Sequence, residues 1–448
     1  MKIKHILCLL LISALMMQSF AQTLSLDSCQ HLVLQNNATA KNAQLDVLAA
    51  REVKNQLLTR FFPNISALAG GYHALNPLIE YGIQDVSNAE ARQALYNAYA
   101  EYGAAMGLPN KFSICENGLT MGAMAIQPVF MGGQIINGNR LAKVGVQAAE
   151  LQCQLTQQQL LQQTEESYWL VVSLYEKKKT IGHAMLLLDT LYHDVTVALA
   201  AGLVTQNDEL KVVLKQQELK SNLLQVNNGI ILASMALCQM LGIEYTDSML
   251  LTDTLSDNIV ENISACDPGA AVARRKETQL LGMNVQAEEL KKKITVGESC
   301  PQILVGVGAS YGDLFFDRPK FNGLAFATMK VPLTAWWESA YKIKQQKLMI
   351  QKAENQKDDL TQKMMLETRQ AWNNVVEAAE QVKLMKSTIA DAELNLSTSS
   401  VNYQAGIIPI SDLLEAQTLL QQARSQYIDA MISYKIRTSH YHTLTSGK

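Results

Sequence analysis

The chain has 448 residues, 48% of them hydrophobic and 18% charged, with a formal net charge of −3. A balance this close to neutral leaves no basic footprint for nucleic acid. Of seven cysteines, the six beyond Cys8, at 29, 115, 153, 238, 266 and 300, show no CxxC spacing, which argues against a zinc or redox motif.

The amino end carries an address. Lys2 and Lys4 precede an apolar core from Ile6 to Met17, and Ser19-Phe20-Ala21 makes a small-x-small cleavage site. Residues 1–21 therefore read as a secretory signal peptide. Cys8 lacks the small residues that precede a lipid-modified cysteine, and Cys29 lies well past the cleavage site, so a lipoprotein is not expected. One disulfide is compatible with export, but the spacing does not pair the cysteines. No later stretch holds the roughly 20 uninterrupted apolar residues of a spanning helix. A membrane-embedded form of this chain therefore has to be a β-barrel.

The first half, 22–242, opens with a helix. From Leu24 to Phe62 apolar residues recur at helical spacing through Leu45, Val53 and Leu57, with Asp27 as a cap and Pro63 as a stop. A strand is expected over about 64–75. The segment 76–118 follows, carrying Tyr81, Tyr96, Tyr99 and Tyr102, with a short helix expected around 88–106. A second apolar strand over about 119–130 ends at Pro128-Val129-Phe130-Met131-Gly132-Gly133. Residues 134–240 then read as a helical hairpin with its tip at Gly202. Its outgoing arm steps three and four residues at a time through Leu141, Val144, Ala148, Leu151 and Leu155, a coiled-coil rhythm. At 1.5 Å per residue that arm reaches about 100 Å.

A less regular stretch, 243–267, leads to the second half, 268–448. A helix over about 270–295 precedes a strand at 301–314. There Ile303, Val305, Val307 and Ala309 point one way, and Leu304, Gly306, Gly308 and Ser310 the other. The partner strand, about 321–333, alternates ambiguously. Residues 334–440 form a second hairpin: Thr334 to Ala405 holds neither glycine nor proline, Gly406 is the tip, and Asp412 opens the return helix.

The two halves repeat. Pro128 to Pro332 is a shift of 204, as is Gly202 to Gly406, whereas Pro63 to Pro301 is 238; the 34 extra residues fall in the Tyr-rich segment. The chain is thus a duplicated helix–strand–strand–long hairpin unit with one insertion. Four strands in lipid would leave two edges of unpaired backbone groups, each costing several kcal/mol. Oligomers resolve this: two copies give a filled eight-stranded barrel, and three give twelve strands and a passage. The other reading is a periplasmic coiled-coil scaffold without a pore.

At Leu24-Ser25-Leu26-Asp27-Ser28, Phe62-Pro63-Asn64, Pro128 to Gly133 and both Gly-x5-Asp-x-Leu tips, the chain resembles the TolC family of outer-membrane efflux proteins. The likeness runs through nearly the whole mature chain, twice over. It implies a mainly α membrane protein: a homotrimer sharing a 12-stranded β-barrel in outer-membrane lipid, continued by a long α-helical periplasmic tunnel. It implies an exit duct for drugs, small molecules or proteins. Its partners would be a periplasmic adaptor and an inner-membrane pump of the RND type, with the ABC type as the alternative.

The same resemblance implies an entrance constriction at the hairpin tips. Asp412 and Glu415 match the family's entrance carboxylates, and at i, i+3 they share one helix face. They also suit a capping box. Tyr403 matches a tyrosine that holds the mouth closed by hydrogen bonding, or else is a packed coiled-coil tyrosine. Asn207 and Asp208 match polar and acidic positions of the first tip, with helix capping as the plainer role. Ile408 stands where well-known members carry a gating arginine, so that closing salt bridge does not carry over.

Other features take plain readings. Lys177–Lys179 and Lys291–Lys293 are solvated faces, Met364-Met365 is helix packing, and His440-x-His442 is tail rather than metal site. There is no Ser/His/Asp or Cys/His arrangement, no HExxH and no phosphate-cradling glycine loop. No catalysis, cofactor or metal is expected.

Overall fold

A computed structural model describes residues 23–76, 79–114, 117–247, 250–255, 264–313 and 320–446. The expected signal peptide, Cys115 and Leu314, the last residue of the expected strand 301–314, lie outside the described residues.

β1 (Thr23–Leu24) leads into α1 (Leu26–Asn36), whose cap is Ser25: its Oγ accepts from the Ser28 N–H at 3.2 Å. Asp27, the expected cap, stands in the first turn, where its charge complements the helix dipole. The single helix expected from Leu24 to Phe62 breaks at Asn37. There Oδ1 accepts from the Thr39 N–H at 2.8 Å and Nδ2 donates to the Met240 carbonyl at 2.8 Å, so one side chain restarts the helix and ties it down. α2 (Ala38–Leu58) and β2 (Asn64–His73) follow.

The insertion contains β3 (Ile79–Gly82), α3 (Ala89–Ala98) and β4 (Lys111–Ile114), and β3 pairs antiparallel with β4, which the sequence did not suggest. The helix expected to Met106 stops at Ala98 and widens into a π turn, Tyr99–Gly103. β5 (Asn117–Met131) returns, and α4 (Gln134–Ala200) and α5 (Gln206–Leu241) make the first hairpin.

β6 (Leu250–Leu251), in the inter-repeat stretch, pairs parallel with β1. The helix expected over 270–295 is two, α6 (Pro268–Arg274) and α7 (Lys276–Glu298), separated by Arg275. Asn37 to Arg275 is again a shift of 238, so the break itself is duplicated. β7 (Gln302–Asp313), β8 (Lys320–Lys330) and the second hairpin, α8 (Ala335–Gln404) and α9 (Ile410–Ser446), complete the chain.

These elements form two compact units. One, Ala50–Val146 with Val285–Lys352, contains an antiparallel sheet in the order β2-β5-β7-β8. Register resolves the strand faces that sequence left open. On one face, rows running across all four strands are Ile65–Ala125–Val307–Ala325, Ala67–Ala123–Ala309–Gly323 and Ala69–Met121–Tyr311–Phe321. The opposite face has Leu68–Gly122–Ser310–Asn322 and Gly70–Thr120–Gly312–Lys320. In the rows that cross all four strands the first face is apolar except for one tyrosine hydroxyl, whereas the second mixes polar and very small side chains with large apolar ones, Leu68, Met124, Leu324 and Phe326 among them.

Both edge strands, β2 and β8, are exposed almost throughout. At the end where β5 runs out and α8 begins, Phe62, Phe130, Trp336, Trp337 and Tyr341 are exposed, and Trp336 Nε1 donates to the Ser299 carbonyl at 2.9 Å. Aromatic side chains with one polar tip suit a lipid–water boundary. The turn into α4 is tight: a Cβ on Gly132 or Gly297 would strike the other's carbonyl oxygen.

The other unit takes in residues up to Ala49, Gln147–Asn284 and Ala353 onward. Its largest core gathers Val33, Tyr168, Val171, Leu237 and Leu241. The Tyr168 hydroxyl donates to Asp253 Oδ2 at 2.8 Å, and the same oxygen accepts from the Leu26 N–H at 3.0 Å, which locks the chain start against the inter-repeat stretch. Cys29 and Cys238 are buried here as free thiols, and burial pushes Cys29 up to about 12. None of the described cysteines forms a disulfide.

Buried Arg275 pairs with Glu367 at 2.7 Å and with Glu277 at 3.2 Å. His440 lies within α9 and shares a 3.1 Å hydrogen bond with Gln162, so the expected tail is a docked helix. Lys177 pairs with Asp429, Lys179 with Glu176 and Lys291 with Glu288. Met364 is buried, whereas Met365 is exposed.

α5 is the one described helix long and apolar enough by composition to cross a membrane. It is amphipathic rather than continuously apolar: Val212 and Leu219 are buried, whereas Leu210, Leu214, Leu224 and Leu232 are exposed. The exposed set has no cover within one copy of the chain.

Candidate functional site at the hairpin tips

Both tips end their outgoing helix in the same way. Gly202 and Gly406 each adopt φ +71, a conformation that costs other residues roughly 1–2 kcal/mol. The Leu203 N–H reaches the Ala198 carbonyl and the Gly202 N–H that of Leu199; Ile407 to Asn402 and Gly406 to Tyr403 repeat the pattern, all at 2.9–3.0 Å. These paired bonds satisfy the last carbonyls of each helix.

The return helices start differently. In the first tip the cap is Thr205: its Oγ1 accepts from the Asp208 N–H at 3.3 Å, and Asp208 Oδ2 accepts from the Thr205 N–H at 3.2 Å and from its hydroxyl at 2.7 Å. Asp208 Oδ1 also pairs with Lys211 at 3.3 Å. The Thr205 bonds foremost, then Lys211, hold the Asp208 carboxyl below its ordinary value. Asp208 is thus the closing half of a capping box, and Asn207 is exposed on the first turn.

In the second tip α9 starts two residues earlier than Asp412, at Ile410. Asp412 therefore does not open the helix, and the Asp412–Glu415 capping box does not form. Proline stands at 409, where the first tip has threonine, so no hydroxyl is available to cap. Asp412 accepts only from the neighbouring Ser411 hydroxyl, at 3.1 Å, and both Asp412 and Glu415 are exposed. Neither forms an ion pair among the described residues. A shift of 204 superposes Asp208 on Asp412 and Lys211 on Glu415, so the cation that neutralises the first tip is replaced by a second carboxylate. Sequence reasoning missed Thr205 and Lys211; comparing the tips position by position was the available signal.

Tyr403 is half-buried beside the apolar cluster of Leu188, Val195, Val212, Ile410 and Leu413, which joins the two hairpins. Burial, with Asp208 and Asp194 nearby, raises its pKa. It lines a cavity of about 500 Å³ with Leu191, Asp194, Gln417 and Arg424. Across that cavity Arg424 pairs with Glu393 at 2.7 Å, while Gln417 donates to the Ala184 carbonyl at 2.9 Å. The packed role of Tyr403 is therefore realised. Ile408 is half-buried and carries no charge for a closing bridge. Among the described residues no His, Cys, Asp and Glu cluster could hold a metal ion.

Residues 283–439 match the family model described as outer membrane efflux protein. No curated protein matches the chain. Among solved structures, the Campylobacter jejuni CmeC outer membrane channel is similar at 14% identity and a TM-score of 0.76, covering 94% of this chain and 85% of that one. The outer membrane protein VceC of Vibrio cholerae aligns at 14% identity and 0.71, over 94% and 96%. The open state of the Neisseria gonorrhoeae MtrE outer membrane channel aligns at 13% identity and 0.75, over 94% and 89%. At such identities these likenesses establish the fold.

Proposed function

We infer that this chain, whose residues 283–439 match the outer membrane efflux protein model, is an outer membrane efflux protein and one protomer of an exit duct across the outer membrane. The four-stranded sheet carries the reading. In the three rows that cross all four strands one face is apolar but for the Tyr311 hydroxyl, and both edge strands are exposed. Such a sheet is stable only with lipid on one side and strands of other copies on its edges. Three copies give twelve strands and an interior lined by the face bearing Ser310, Asn322, Thr120 and Lys320. The uncovered apolar stripe on α5 gives the helices a matching reason to assemble.

Transport through such a duct is passive. The hairpin tips form its periplasmic entrance, with Asp412 and Glu415 as the unneutralised charges, Asn207 and Asp208 on the neighbouring tip, and Tyr403 packed behind them. A periplasmic adaptor and an inner-membrane pump supply cargo and energy; the family match supports such partners as a class.

The deciding experiment is the mass of the detergent-purified protein, with detergent subtracted, together with single-channel recording in a planar bilayer. The expected result is a trimer with small, steady conductance. A monomer that stays soluble without detergent and never conducts would overturn the duct and leave a periplasmic scaffold.

A further inference from the structure

The inserted segment between β2 and β5 folds around a pocket of about 500 Å³ that the duct has no use for. Its walls are the rings of Tyr81, Tyr99 and Tyr102 with Ile83, Val86 and Leu108, and no charged side chain lines it. The volume suits one small organic molecule.

Three features show that the pocket is built rather than left over. The Tyr99–Gly103 turn is π-helical, a rare widening found frequently at functional sites. It carries both Tyr99 and Tyr102 to the wall. The Tyr99 hydroxyl donates to the Leu108 carbonyl at 2.8 Å, which fixes one ring as a rigid side of the pocket. Gly103 lets that ring lie against the backbone, because a Cβ there would overlap it. Tyr102, by contrast, is 59% exposed and forms the rim.

We propose that this pocket binds a neutral, flat aromatic molecule between the Tyr99 and Tyr102 rings. Charge decides the class. A buried carboxylate or ammonium would find no counter-ion on these walls and would lose its hydration, whereas an aromatic ring gains apolar burial and stacking. Because the segment joins β2 to the start of β5, whereas α4 leaves from the other end of β5, the duct reading places the pocket at the outer opening. The binding chemistry itself does not depend on that reading.

The test uses the full chain in lipid nanodiscs with ¹⁹F-labelled tyrosine and N-phenyl-1-naphthylamine as the neutral probe. Saturable shifts at the Tyr99 and Tyr102 resonances, one probe per chain, are expected. Ala98→Trp, which fills the pocket from α3, should weaken binding by about tenfold or more. Tyr96→Ala, outside the lining, should leave affinity unchanged. Channel recordings on the same samples report separately whether the duct forms. Shifts that grow linearly with probe and are the same in Ala98→Trp would mean partition into lipid and would overturn the proposal. Binding that appears only when chains are kept monomeric would also overturn it, by making a second copy the occupant. Should Ala98→Trp fail to fold, Tyr102→Ala, which removes only the rim, must still lower affinity.

Discussion

Replacing Glu415 by lysine copies the first tip into the second. In the present structure Asp208, Glu209 and Lys211 give the first tip a net charge of −1, and Asp412 with Glu415 gives the second −2. In the proposed trimer nine net negative charges would gather at the mouth. For an ion about 10 Å from each, one charge is worth about 0.4 kcal/mol in water and about 0.1 kcal/mol after physiological screening. Nine of them enrich monovalent cations roughly sixfold. Glu415→Lys removes six of the nine and should reduce that enrichment to about twofold. The assay is the reversal potential under a potassium chloride gradient across a planar bilayer, with Glu415→Gln expected to fall between. An unchanged reversal potential in a variant that still assembles and conducts would refute the placement of these carboxylates at the constriction. Recordings at high salt provide a second check, because screening should shrink the difference between wild type and variant.

Asp208→Asn should lower stability by about 1 kcal/mol, the worth of a cap, read as a shift in the denaturation midpoint. The folded carboxyl lies below its unfolded value of about 3.9, so its contribution is present at neutral pH. It is lost only as pH falls below about 4 and through the folded pKa; a loss already complete at pH 6 would contradict the capping role. Gly297→Val has no room against Gly132 and should abolish assembly of the sheet, seen as loss of a heat-modifiable oligomer on a gel. Tyr168→Phe should cost about 1 kcal/mol by removing the bond to Asp253, with faster proteolysis at the chain start as its signature.

The long arms and the glycine tips were legible because they depend on local chemistry: uninterrupted periodicity, then a residue that tolerates positive φ. The duplication was legible because prolines and glycines keep their spacing. The faces of β8 were not, because Leu324 and Phe326 sit on the mixed face, and only pairing with β7 shows which side they take. The break at Asn37 escaped because its cause is the Met240 carbonyl, 203 residues away. At the second tip, Asp412 suggested a cap, but proline at 409 lets α9 begin without one, and local sequence alone did not separate these outcomes. The π turn at Tyr99 is likewise set by packing against Gly103 and Leu108 rather than by propensity.

The exchange of Lys211 for Glu415 reaches beyond selectivity. Six hairpin tips of near-identical backbone would circle the mouth of a trimer, close to sixfold in shape but strictly threefold in charge. Around such a rim the potential alternates, with a weak trough at each first tip and a deep one at each second. A cation approaching off-axis is drawn into three lanes rather than six. Any protein that grips all six tips has to accommodate two electrostatic surfaces on one repeating shape, so its own contacts cannot all be alike.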